Sequence, residues 1–147
     1  MTRVVKQKNM VKFDMADRPN PDCPPPYEPA LRAIPMPHDA NQSGDIFGGW
    51  VLSQMDLAGG SVAARRAKGR CATVAITAMT FHQPIFVGDE VSCYGEVVRV
   101  GRTSITVKIE SWARRWGRTD PIKVTEGLFT FVALTADRKP RPVPQEA

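Results

Sequence analysis

Cysteine, histidine and aromatic residues are all scarce in this chain. Its three cysteines, Cys23, Cys71 and Cys93, are widely spaced and odd in number, and no CxxC occurs. That pattern argues against a disulfide framework and fits a reducing, cytoplasmic setting, with the cysteines as small buried residues. The two histidines, His38 and His82, stand in no metal-ligand spacing, so no metal site is expected. No Gly-x-Ser-x-Gly is present, which argues against the nucleophile elbow of α/β serine hydrolases. Long apolar runs are missing too. The longest mainly apolar segment, Ile46 to Ala64, is interrupted by Gln54, Asp56 and four glycines. It reads as a core helix and not as a membrane span. No apolar run follows the first charges, so no secretory signal is expected.

What is present fits one domain of 147 residues whose 42% apolar content can form a core. A sheet with one helix would leave an apolar surface to cover, so self-association is expected. The net charge of +5 includes Arg65, Arg66, Lys68, Arg70, Arg99, Arg102, Arg114, Arg115, Arg118 and Lys123. These residues form either a solvated rim or an attraction for phosphates. Zinc-finger spacing, aromatic RNA-binding motifs and a helix-turn-helix are all missing, so nucleic acid is not an expected partner.

Residues 1–28 read as a proline-rich, extended or disordered tail, with Pro19, Pro21, Pro24, Pro25 and Pro26 in a polar stretch. Residues 29–147 form the expected domain. A short strand is predicted over about Glu28–Ile34, closed by Pro35 and Pro37. A turn from His38 to Asp45 leads into a helix over about Gly48–Ala67. The apolar residues of that helix go round most of its circumference, as in a helix surrounded by protein. Gly59 and Gly60 would let a sheet or a second helix approach closely. Gly69 is the expected residue past the helix end. Four strands follow, over about Ala72–Phe81, Asp89–Val100, Thr103–Ala113 and Val124–Leu134. Short turns between them imply antiparallel pairing. The fold class is therefore α+β, with an antiparallel sheet curled about one long helix.

The most informative stretch is Asn41-Gln-Ser-Gly-Asp-Ile-Phe-Gly48-Gly49-Trp50, continuing to Asp56. An acid in a mainly apolar helix must leave water on folding, and a buried carboxylate usually has a partner or a task. Asp56 follows Gly49 by seven residues, almost two turns, so it lies on the same face as the helix start. The first turn presents free N–H groups and partial positive charge. A carbonyl oxygen resting on those donors while Asp56 acts on the same group would suit acyl transfer. Asn41 also fits plain turn chemistry, since Asn-x-x-Gly favours turns. Gly48 and Gly49 permit close approach, with the Gly49 N–H as the candidate oxyanion donor. Asp45 is expected to be a helix cap or a first-turn acid that complements the dipole, and Asp89 to serve a turn.

Several stretches together resemble the YciA-type acyl-CoA thioesterases. They are Pro-Met-Pro-His-Asp-Ala-Asn-Gln-Ser-Gly-Asp-Ile-Phe-Gly-Gly-Trp at 35–50, Ser-Gln-Met-Asp at 53–56 and Thr-Phe-His-Gln-Pro-Ile-Phe-Val-Gly-Asp at 80–89. Val-Gly-Arg-Thr-Ser-Ile at 100–105 and Thr-Glu-Gly-Leu-Phe-Thr-Phe-Val-Ala at 125–133 complete the set. The likeness runs over roughly residues 30 to 144 and leaves out the proline-rich tail. It implies the hot-dog fold and hydrolysis of acyl-CoA to free acid and CoA, as part of fatty acid metabolism. CoA is then part of substrate and product, and no separate cofactor is implied. The resemblance puts the catalytic acid on Asp56 and a helper asparagine on Asn41, the pair assembled across a dimer. A trimer of dimers is implied as the larger assembly. His82 departs from the pattern, since relatives can carry an apolar residue there.

As a base, Asp56 would activate water; as a nucleophile, it would form a mixed anhydride. For CoA binding, Arg102 in the Gly101-Arg102-Thr103-Ser104 turn is a candidate by position. Ser104 and Thr103 lie beside it, and Gly48 is on the thioester side; Arg65, Arg66 and Arg70 are alternatives. Two other functions compete. One is a non-catalytic acyl-CoA-binding sensor. The other is a hydratase or dehydratase on the same fold, which is disfavoured because neither histidine lies on the helix.

Overall fold

Helix α1, Gly48–Ala67, lies across one face of a five-stranded sheet. The computed structural model describes Met15 and residues 18–146. The strands are β1 Leu31–Ala33, β2 Cys71–Phe81, β3 Glu90–Val100, β4 Ser104–Arg114 and β5 Ile122–Ala133. Their order is β1-β3-β4-β5-β2, and every pair is antiparallel. The β3–β4 turn closes through Gly101 N–H to Ser104 O at 2.8 Å. The Phe86–Asp89 turn closes on itself, with Asp89 accepting from Phe86 N–H at 2.9 Å, which is the turn role expected of it. No helix among the described residues is long and apolar enough to cross a membrane.

The strand alternation decides the core. Ile105, Val107 and Ile109 of β4 and Phe129 and Phe131 of β5 point to α1 and are fully or almost fully buried. Val51, Met55, Ala58, Gly59, Ala63 and Ala67 form the matching helix stripe. A helix surrounded by protein was expected, but within one protomer α1 buries a single face, and Leu57 is 61% exposed. Gly59 is where helix and sheet come closest. A Cβ there would lie 2.5 Å from Ile109 Cδ1 and 2.9 Å from Phe131 Cζ, whereas one on Gly60 would meet Phe131 at an ordinary 3.7 Å.

The helix end differs from expectation. Lys68, not Gly69, takes the left-handed conformation, at φ 53°. Gly69 instead leaves room for Arg141, whose guanidinium donates to Ala67 O at 2.9 Å and so satisfies a terminal carbonyl. The first strand is shorter than the Glu28–Ile34 expected, because pairing with β3 extends only from Leu31 to Ala33. Of the cysteines only Cys93 is buried, and burial pushes its thiol up to about 11; Cys23 is exposed and Cys71 half-buried.

The expected disordered tail is packed over the part that is described, while residues 1–14, 16 and 17 lie outside the described residues. Arg18 reaches the outer face of the sheet and pairs with Glu110 through both guanidinium nitrogens, at 2.8 and 2.9 Å. The Arg18 side chain is 6% exposed and that of Glu110 is not exposed at all. The Trp112 indole N–H donates to the same carboxylate at 3.0 Å, and Lys123 Nζ lies 3.3 Å from it. Met15 packs with Tyr94 and Trp112, with Tyr27 against them. Burial pushes the Glu110 carboxyl up, but Arg18, Trp112 and Lys123 outweigh it and hold the group below its ordinary 4.5.

Two stability measurements follow from this packing. Gly59→Ala forces side chains apart at about 1–3 kcal/mol against a helix-propensity gain of about 1 kcal/mol. We expect Gly59→Ala to lower the chemical-denaturation midpoint and Gly60→Ala to hold or raise it. Because the folded state lowers the Glu110 pKa, its contribution is present above pH 4.5 and is lost as pH falls through the folded value. Acid titration of stability should show that loss in the wild type, and Glu110→Gln should flatten it.

Candidate functional site

The turn before α1 is held by one side chain. Asn41 Oδ1 accepts from Ser43 N–H at 2.9 Å and from Asp45 N–H at 3.1 Å, and the Asn41 backbone N–H donates to Asp45 O at 2.7 Å. These bonds consume the amide oxygen and fix the rotamer. The Asn41 Nδ2 group has no hydrogen-bond partner among the described residues and remains a donor. Ile46 N–H bonds Ile85 O at 3.0 Å, which ties the turn to the segment after β2.

Phe47 occupies the N-cap position and makes no side-chain cap, and no acid lies in the first turn. The expected capping role of Asp45 is therefore corrected: Asp45 pairs as an isolated bridge with Phe86. The first donors of α1, the N–H groups of Gly48 and Gly49, carry neither a cap nor a neutralising charge. A Cβ on Gly49 would meet nothing within 4 Å, and one on Gly48 only Phe81 at 3.9 Å. Packing inside the protomer thus does not require either glycine. Beside this helix start opens a cavity of about 330 Å³ lined by Gly48, Val51, Phe81, Ile85 and Val124, with His82, Gln83 and Thr125 on its wall.

Asp56 sits further along the helix, half-buried, and its Oδ1 accepts from Thr73 Oγ1 of β2 at 2.5 Å. Thr73 was not legible as a site residue, since a threonine in a strand is ordinary β-propensity. The carboxylate is not sealed in an apolar core as expected, because β2 is a sheet edge that carries it at the protomer surface. Seven helical residues span about 10 Å along the axis. Asp56 therefore shares a face with Gly49 but not a reaction centre within one protomer. The structure brings Asn41, Gly48 and Gly49 to one end of α1, with Asp56 about 10 Å further along it.

The turn carrying Arg102, Thr103 and Ser104 lies at the opposite end of the helix. Ala133 N–H bonds Thr103 O and Val143 N–H bonds Arg102 O, next to the Arg141 that caps α1. Arg102 is exposed, and Ser104 Oγ lies against Gly101. The face between these sites is apolar and open: Val74 and Ile76 of β2 are 58% and 42% exposed, alongside Leu57 and Phe81. No second strand covers the free edge of β2 among the described residues. A long apolar edge strand of this kind is a template for pairing.

A family model described as the thioesterase superfamily matches residues 43–115. The acyl-CoA thioester hydrolase YciA of Salmonella typhimurium is 47% identical over 127 residues, covering 84% of this chain and 95% of that protein. A hexameric thioesterase from Yersinia pestis superposes with a TM-score of 0.78 at 43% identity, covering 83% of this chain and 99% of the other. A hexameric hotdog-fold thioesterase from Campylobacter jejuni gives 0.77 at 43% identity, covering 80% and 91%. With its long helix on a five-stranded antiparallel sheet and this degree of identity along most of its length, the chain belongs to the YciA-type acyl-CoA thioester hydrolases of the hot-dog fold.

Proposed function

We propose that thioester hydrolysis takes place between two protomers, with Asn41, Gly48 and Gly49 of one facing Asp56 of the other. The observation that carries this reading is the separation of about 10 Å between Gly49 and Asp56 along one helix. Each half is chemically complete for its own task and incomplete alone. Pairing through the exposed Val74–Ile76 edge of β2 and Leu57 would cover the apolar face and bring the halves together about a two-fold axis. Hexamers among the relatives support a trimer of such dimers as the full assembly.

In this arrangement the thioester carbonyl oxygen rests on the Gly49 N–H, with Gly48 beside it and the acyl group in the adjoining cavity. The uncapped helix start stabilises the oxyanion that forms on attack, because its donors are already aimed and have no competing partner. The Asn41 Nδ2 donates to the attacking water or to the carbonyl oxygen. Asp56, oriented by Thr73, serves the attack by one of two routes. As a base it takes a proton from water as the water oxygen bonds to the carbonyl carbon. The tetrahedral oxyanion then collapses, the C–S bond breaks, and the sulfur leaves as CoA thiol with that proton. As a nucleophile a carboxylate oxygen displaces CoA to give a mixed anhydride, which water opens. Arg102, Thr103 and Ser104 lie past the far end of α1. A CoA chain leading from the thioester toward that end would meet Arg102 with its phosphates and the two hydroxyls with its polar atoms. No cofactor takes part in either route.

Asp56→Asn preserves shape and the Thr73 contact but removes the charge. We expect kcat for acyl-CoA hydrolysis, followed by thiol release, to fall by at least about a hundredfold with an unchanged circular dichroism spectrum. Wild-type rates in that variant would refute the assignment. Sharing across protomers is read by mixing inactive Asn41→Ala and Asp56→Ala chains. After full subunit exchange, about a quarter of wild-type activity should return, because half the dimers are mixed and each holds one intact site. No recovery would place the whole site in one protomer.

A further inference from the structure

A ladder of charged and polar side-chain contacts runs along the outer face of the sheet, from the N-terminal segment to the wall of the helix-start cavity. Arg18 holds Glu110 at 2.8 Å, and Lys123 Nζ is shared between Glu110 at 3.3 Å and Glu126 at 2.5 Å. Glu126 in turn holds His82 Nε2 at 3.4 Å. His82 belongs to the segment Phe81–Ile85 that walls the cavity beside Gly48, and its backbone N–H bonds Val124 O at 2.8 Å. The same segment is tied from outside by Arg115, which donates to Pro84 O at 2.9 Å and stacks on Phe86 at 4.3 Å. Pro21 and Asp22 of the N-terminal segment share a groove with Gln83 and Pro84.

From this arrangement we propose that Arg18 is a positioning residue for the substrate cavity, acting through Glu110, Lys123, Glu126 and His82 to fix the Phe81–Ile85 wall and thereby the length of acyl chain the enzyme accepts. The inference rests on reading that cavity as the acyl site. Its physical basis is the divided Lys123. Glu110 is fully buried and needs cationic partners. With Arg18 in place, Lys123 is left to hold Glu126. Without Arg18, the Lys123 ammonium is drawn toward Glu110, Glu126 loses its closest cation, and the anchor of His82 loosens. Lys108 is the more distant cation of the group, with its Nζ 3.9 Å from Glu110 against 3.3 Å for Lys123, and it also acts on Glu126 from further away than Lys123 does. A wall loosened in this way costs most for chains long enough to press on it, and least for an acetyl group.

The experiment compares wild type, Arg18→Ala, Arg18→Lys and Glu126→Gln, each as the full chain. Glu126→Gln cuts the ladder at a half-exposed position and leaves the Arg18–Glu110 pair intact, so it reads the wall even where Arg18→Ala weakens the fold. Two quantities are measured: KM and kcat for acetyl-, hexanoyl- and dodecanoyl-CoA, and the calorimetric Kd of the non-hydrolysable thioethers S-butyl-CoA and S-dodecyl-CoA. We expect Arg18→Ala and Glu126→Gln to change KM and Kd for the long ligands by about tenfold, with values for the short ligands kept within about twofold. Arg18→Lys should restore part of the profile, and Arg18→Ala combined with Glu126→Gln should be no worse than either alone. An unchanged chain-length profile in both single variants, with or without a drop in thermal stability, overturns the proposal. Failure of the wild type to release thiol would instead count against the catalytic reading, and the thioether affinities would still decide the ladder.

Discussion

Gly59 lets α1 settle onto Ile109 and Phe131 without a side chain between them, and that contact fixes where the two ends of the helix fall. Helix and sheet meet along Met55, Ala58, Gly59 and Ala63, all fully or nearly fully buried. Once that stripe is seated, the start of α1 lies beside the Ile85 segment and its end beside Arg141. The other face is left bare, with Leu57 and the edge strand β2 outward. The rigidity of a tightly packed interior carries this placement to the ends of the helix.

The two ends are treated differently. Arg141 satisfies the Ala67 carbonyl at the C-terminal end, as a helix buried against a sheet requires. The start has no cap and no acid, and its glycines meet almost nothing. Exposed donors at the mouth of a cavity are left to water and are free to engage a ligand. The Asn41 side chain shows the same division. Its oxygen builds the turn and its Nδ2 group is left over, so the turn role does not compete with the role proposed for it in the site.

The outer face follows a separate logic. Glu110 sits in the middle of β4, where neither solvent nor core satisfies it, and the N-terminal segment brings the guanidinium that does. A buried acid with one close cation and a second shared one couples distant surface elements. This coupling is electrostatic and geometric, and it runs through strand β5, which also forms the floor beneath α1.

The motif around Asn41 and Asp56 was legible in the sequence because its signals are local: a turn-forming asparagine, two glycines at a helix start, and an acid at helical spacing. The helix was readable over Gly48–Ala67, and the four long strands to within a residue or two, because period and turn chemistry act over a few neighbours. The capping of α1 was misread, since Asp45 is drawn into a bridge with Phe86 some forty positions away. The packing of Arg18 against Glu110 was invisible for the same reason: alternation along β4 marks Glu110 as outward, and only a segment ninety-two positions away decides that outward is still buried. The sequence by itself determined which residues are chemically able to act. The tertiary structure alone decided that the Asn41 turn is tied to the Ile85 segment and that Asp56 meets Thr73, because those partners come from distant parts of the chain.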